Sequence, residues 1–217
     1  MTLSPEPPPE APKDCPLCPR LVAYREANAT AEPLWFNGPA PSFGDPNAAL
    51  LIVGLAPGRT GANRTGRPFT GDYAGDLLYG TLLKLRLAEG VYRADPEDGL
   101  RLKGCMISNA VRCAPPENKP TPAEIAACRP FLAARIAALP QLKAFLALGS
   151  IAHQSVLRAY GLKPTAAKFA HEAAFTLPTG AVLVSSYHCS RYNTQTGRLT
   201  AVMFENAMLK AKAAAGL

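Results

Sequence analysis

The sequence predicts an α/β protein, a three-layer α/β/α sandwich built on a central four-stranded parallel sheet. Two observations carry this expectation. Four short apolar runs, at 48–53, 105–108, 143–148 and 181–185, are continuous rather than alternating, as strands buried on both faces are. Helical patterns lie between and after them, and strands alternating with helices give an open sheet with helices on both sides.

The chain opens on 14 residues rich in proline and glutamate, including Pro5, Pro7, Pro8, Pro9 and Pro12, which read as a flexible, extended tail. This tail lacks the apolar stretch of a cleavable leader. Residues 15–217 are expected to form a single domain. The prolines of 33–46 mark an irregular connection before the first strand, which runs into Gly54-Leu55-Ala56-Pro57-Gly58. A helical pattern follows at 75–89. After the second strand, residues 115–122 are again proline-rich and lead to a recognisable helix start. In Thr121-Pro122-Ala123-Glu124 the threonine caps, the proline takes the first helical position and the glutamate stands three residues on. That helix is expected over 121–139. Gly149-Ser150 opens the next helix, to residue 160, and the last helix spans about 199–215.

A chain of 217 residues with 48% hydrophobic content can bury the core of one such domain, and no segment resembles a membrane span. The net charge of +7 suits a polyanionic partner but does not require one. The expectation is a monomer in the reducing cytoplasm.

Cys15 and Cys18 form Cys-Pro-Leu-Cys, and Cys113 and Cys128 follow nearly a hundred residues later. Together they read as one four-thiolate metal site that clips the N-terminal segment to the body of the fold. Disulfides do not suit a chain with no leader. Zinc and iron–sulfur both accept four thiolates, and composition does not separate them. The wide, uneven spacing lacks the paired tight knuckles of a zinc ribbon and favours iron–sulfur. Cys105 and Cys189 fall outside the pattern and read as small buried hydrophobes.

In open parallel sheets the ligand site lies beyond the carboxyl ends of the strands. The residues found there are Gly54 to Gly58, then Thr65-Gly66-Arg67-Pro68-Phe69-Thr70-Gly71-Asp72, Asn109 with Val111-Arg112-Cys113, Gly149-Ser150, and His188 to Asn193. These stretches, with Asn193-Thr194-x-Thr196-Gly197-Arg198 and the four cysteines in order, resemble the uracil-DNA glycosylase superfamily, and within it the iron–sulfur type B branch, family five. The resemblance implies excision of uracil from DNA in base-excision repair and a [4Fe–4S] cluster on Cys15, Cys18, Cys113 and Cys128.

On that reading the nucleotide is flipped into a pocket and held by stacking and edge hydrogen bonds. Gly54 and Ala56 line it, Phe69 stacks on the base, and the Asn109 amide pairs with N3–H and O4, which cytosine cannot match. His188 donates to O2 as negative charge develops there. Asp72 orients or deprotonates water and stabilises the sugar cation, with Asp76 in reserve; Asp72 equally suits a helix cap. Arg64, Arg67, Arg112, Arg191 and the helix start at Ser150 are candidate phosphate contacts, and Tyr192 is a candidate wedge.

Two departures qualify the resemblance. Other branches place a carboxylate within or just after the Gly-x-x-Pro turn, whereas here Leu55, Ala56 and Gly58 lead to Arg59-Thr60-Gly61-Ala62. Gly58 also replaces a bulky side chain found in some relatives, which implies a roomy pocket open to hypoxanthine and other deaminated bases. A non-catalytic or covalently trapping uracil-DNA-binding protein is the alternative, but the basic insert expected beside the motif histidine does not occur near His188. A hydrolase of free nucleosides is a third reading.

Overall fold

The computed structural model describes residues 9–217; the first eight residues of the expected tail lie outside it. Helix α1 (Pro19–Ala31) precedes strands β1 (Phe43–Gly44) and β2 (Leu50–Gly54). A one-turn helix α2 (Ala62–Thr65), helix α3 (Tyr73–Lys84) and the hairpin β3 (Ala88–Glu89) with β4 (Arg101–Leu102) follow. Then come β5 (Cys105–Asn109), α4 (Pro122–Ala137), β6 (Ala144–Leu148) and α5 (Ser150–Ala159). The chain closes with β7 (Ala174–Thr176), β8 (Val182–Ser186), a short α6 (Arg191–Gln195) and α7 (Ala201–Ala215).

The main sheet has the order β1-β5-β2-β6-β8-β7. Its four central strands are parallel, as the apolar runs predict. The sheet is nevertheless six-stranded and mixed rather than four-stranded, because β1 and β7 add antiparallel edges. Both are two or three residues long and only partly buried, too short to leave an apolar run in the sequence.

Alternation along the central strands separates the layers. Leu50, Ile52, Ile107, Leu146 and Val184 pack with Leu78 and Leu82 of α3 and Phe204 and Met208 of α7. Leu51, Val53, Phe145 and Leu183 pack on the other face with Leu132 of α4 and Ala152, Val156 and Leu157 of α5. The sandwich therefore has three layers.

Helix α4 begins as expected: Thr121 Oγ1 accepts the Glu124 N–H at 3.2 Å, and Glu124 Oε2 accepts the Thr121 N–H at 2.7 Å. Helix α3 is shorter than its pattern, since the chain turns at Arg86 with φ 59° and spends Ala88–Glu89 on the hairpin. Helix α1 has no counterpart among the sequence expectations. It buries only Leu21 and Asn28, so it carries no apolar stripe; Leu21 packs with Cys15, Val111, Cys128 and Phe131. Among the described residues, no helix is long and apolar enough to cross a membrane.

Candidate active site

Strands β2 and β5 end side by side, with Gly54 paired to Asn109. Residue 54 has to be glycine, because a methyl group there would collide with Asn109 Oδ1 and the Phe69 ring. Asn109 is 2% exposed, and its Oδ1 has no hydrogen-bond partner. Leaving a buried acceptor unpaired costs about 1–3 kcal/mol.

The cavity above Asn109 is lined by Ala56, Gly58, Phe69, Asp72 and His188. Phe69 has φ 55°, a left-handed conformation that costs a bulky residue on the order of 1–3 kcal/mol. Its loop is pinned from below: the Tyr79 hydroxyl donates to Pro68 O at 2.7 Å and the Tyr92 hydroxyl to Phe69 O at 3.2 Å. Phe69 is 7% exposed and belongs to the core edge, although its loop is polar in sequence. Its ring lies 6.1 Å from that of His188, at 29°.

His188 lies just beyond β8, and burial pushes its imidazole down to about 4. The ring is neutral at neutral pH and offers an N–H without a positive charge. Asp72 divides its two oxygens. Oδ1 caps α3 by accepting the Gly75 N–H at 3.1 Å, while Oδ2 reaches the Gly58–Gly61 turn. Burial raises its pKa above the ordinary carboxylate value. Asp72 thus caps α3 and also lines the cavity. Asp76 is exposed and does not line this cavity; with Arg64 it lines an adjoining groove that shares Asp72, Tyr73 and Arg191 with it.

A neutral donor, an unpaired amide, an aromatic face and a carboxylate thus meet where the parallel strands end. The model of the uracil DNA glycosylase superfamily matches residues 41–212. The chain belongs to that superfamily. It is 48% identical over 209 residues to the Type-5 uracil-DNA glycosylase of Thermus thermophilus, with 94% of each chain covered. Identity to the Type-5 uracil-DNA glycosylase of Mycobacterium bovis is 42% over 212 residues, covering 94% of this chain and 79% of the relative. The corresponding protein of Pyrobaculum aerophilum is 38% identical over 210 residues, covering 94% and 90%.

Within this uracil-DNA glycosylase fold, two of the arginines expected on DNA are structural. Arg67 is 4% exposed and forks onto Asp98, with Nη1–Oδ1 and Nη2–Oδ2 both 2.8 Å, so it cannot reach a phosphate. Arg112 is 1% exposed and turns to Ser42 Oγ at 2.9 Å and Glu10 Oε2 at 3.3 Å. Arg64 and Arg191 are exposed, with Arg191 over the Tyr73 ring at 5.4 Å. Tyr192 is 71% exposed on α6, a helix where the sequence reading has a loop. Ser150 is exposed at the first turn of α5, whose cap residue Gly149 makes no side-chain bond.

The cavity also includes Tyr24, Arg59, Glu117 and Asn118, which the sequence reading does not assign. Glu117 and Asn118 follow Pro115-Pro116 with successive φ values of 55° and 56°, a non-glycine strain that sequence does not announce. Tyr24 arrives on α1, the helix without a stripe.

Cys15, Cys18, Cys113 and Cys128 line one small apolar chamber with Leu21, Val111 and Phe131. All six cysteines are free thiols, and Cys105 and Cys189 are fully buried in the main core. Burial pushes the Cys113 thiol up to about 11 and the Cys128 thiol up to about 12. The Arg112 N–H donates to Cys128 Sγ at 3.2 Å, and the Arg25 guanidinium points at Cys113 Sγ from 3.9 Å. Among the described residues, no three metal-ligating side chains converge closely enough to hold a single ion.

Proposed function

We propose that this protein is a monofunctional DNA glycosylase that takes uracil from DNA into the cavity and hydrolyses its N-glycosidic bond. Asn109, whose amide oxygen is unpaired, lines the same cavity as Phe69, His188 and Asp72 and carries the reading. Three relatives named Type-5 uracil-DNA glycosylases, each matched over most of its length, support it.

In this mechanism Phe69 stacks on the flipped base, and the Asn109 Oδ1 accepts from N3–H while its amide donates to O4. As the bond to C1′ stretches, the base departs with its electron pair and charge gathers on O2. The neutral His188 N–H stabilises that charge. Asp72 Oδ2 takes a proton from water, whose oxygen bonds to C1′ and leaves an abasic sugar. The departing base is protonated to free uracil. Arg64, Arg191 and the open N-terminus of α5 hold phosphates, with Tyr192 in the gap left by the flipped nucleotide. With no side chain at Gly58 to narrow the cavity, the substrates extend to hypoxanthine and other deaminated bases. The proposed working form is a monomer, acting on DNA in the cytoplasm.

Single-turnover release of base from oligonucleotides containing uracil, hypoxanthine, xanthine or thymine tests this. Uracil release leaving an alkali-labile site is expected. Release from free deoxyuridine with none from DNA would overturn it. Phe69→Ala is expected to weaken binding by about 1–3 kcal/mol, the worth of one stacked base. Asn109→Asp should erode discrimination of uracil from cytosine; excision like the parent's by both variants would remove the pocket assignment.

The four cysteines are assigned to a [4Fe–4S] cluster. The donor set fits: four thiolates in an apolar chamber, with an amide N–H and a guanidinium facing the sulfurs of an anionic group. When bound, the cluster supplies a structural cross-link, and no step of the hydrolysis passes through it. Protein purified without oxygen should be brown and contain iron and sulfide; stoichiometric zinc without iron would reject the assignment. Cys113→Ser should lower soluble yield before it lowers the rate per folded molecule.

A further inference from the structure

We infer that Arg59 is the residue that grips the phosphate of the flipped nucleotide, and that α1 holds it in place for this purpose. The inference rests on the glycosylase reading of the cavity. Among the described lining residues the cations are Arg59 and Arg191. Arg191 is placed by its own helix and Tyr73, whereas Arg59 is held by a separate part of the chain.

Three contacts fix the Arg59 side chain. Its Nε donates to Asn28 Oδ1 at 2.7 Å, its guanidinium carbon lies 5.0 Å over the Trp35 ring, and Nη2 is 3.9 Å from Glu32 Oε1. Asn28 is itself 4% exposed and anchored through Nδ2 to Tyr24 O at 2.8 Å. The guanidinium is thus gripped on its Nε edge and on one face, while the side chain stays 41% exposed. A cation so held keeps its remaining N–H groups for a paired oxygen acceptor and loses little rotamer freedom on binding.

The ligand follows from position. With the base on the floor between Phe69, Asn109 and His188, the sugar sits beside Asp72. Arg59 directly follows Gly58, whose Cβ position lies 3.3 Å from Asp72 Oδ2, and it lines the same cavity. The anionic group attached to that sugar is its phosphate. Asn28 and Trp35, through Arg59, are positioning residues.

The test measures binding of the full-length protein to an oligonucleotide carrying 2′-fluorodeoxyuridine, whose electron-withdrawing fluorine resists bond cleavage, and single-turnover excision from ordinary uracil DNA. Arg59→Ala is expected to weaken binding about tenfold and to reduce the slope of log affinity against log salt by about 0.9, the share of one phosphate. Its excision at subsaturating DNA should fall in step with the loss of affinity. Arg59→Lys should recover the salt slope but only part of the affinity, because it loses the fork and the stack. Asn28→Ala should weaken binding with the slope retained. An Arg59→Ala protein that melts lower yet keeps the parent's affinity and salt slope would make Arg59 an anchor for α1 and overturn the inference. A parent that binds the fluorinated uracil no better than thymine DNA would instead remove the cavity reading beneath it.

Discussion

Asp72→Asn is expected to bind uracil-containing DNA as the parent does and to release uracil about ten to a thousand times more slowly in a single turnover. The substitution keeps an oxygen that can accept the Gly75 N–H, so the α3 cap survives while the proton acceptor is lost. The pH dependence isolates the role. Burial raises the Asp72 pKa above the ordinary carboxylate value, so the parent's rate should fall on the acid side from above that value, as Asp72 takes up a proton. In Asp72→Asn this limb should disappear. His188→Ala should show a similar loss of rate with a different signature, shrinking on bases that leave readily because they need less help at O2. His188 stays neutral down to about 4, so its donation does not change across the neutral range. A full-rate Asp72→Asn protein would move the carboxylate role elsewhere or remove it.

Asp98→Asn is expected to destabilise the fold by about 3–5 kcal/mol, because it strands a buried guanidinium. Both partners are almost wholly enclosed, at 4% and 0% side-chain exposure. Arg67 also donates to Thr70 Oγ1 at 2.7 Å and lies within 5.3 Å of the Phe43 and Tyr79 rings. Asp98 accepts the Arg93 and Leu100 N–H groups, each at 3.0 Å. The midpoint of thermal unfolding should drop on the order of 10 °C. The Arg67 guanidinium holds the Asp98 carboxyl well below the usual range, so its contribution is full above the unfolded carboxylate pKa of about 3.9 and is lost as the pH falls below it. Asp98→Asn should abolish that part of the acid sensitivity. Because this pair underlies the loop carrying Phe69, uracil binding should weaken as well. A variant melting within about 2 °C of the parent would show the pair to be dispensable.

The contrast between these residues explains how far the sequence could be read. Buried strands are legible because continuous apolar runs have few other uses, and the strand-end rule then leads directly to Asn109 and His188. Arg67 shows the limit: a basic residue in a polar loop looks like a phosphate contact until Asp98, 31 positions away, is folded against it. Helix α1 went unseen because its function is polar; it buries an asparagine and delivers Tyr24 to the cavity instead of an apolar face to the sheet. Asp72 was legible as the cap of α3, and its place on the cavity wall followed from the same loop.

The two short borders of the sheet have a consequence for association between molecules. An open parallel sheet presents rows of unpaired amides and carbonyls that can template another chain. Here β1 offers two residues, one of them Gly44 at φ 137°, and β7 offers three. Growth of the sheet by edge-to-edge addition would start from a template too short to align a second strand. Such brief edges withhold the exposed template that four strands of unbroken hydrophobic sequence would otherwise offer to another chain.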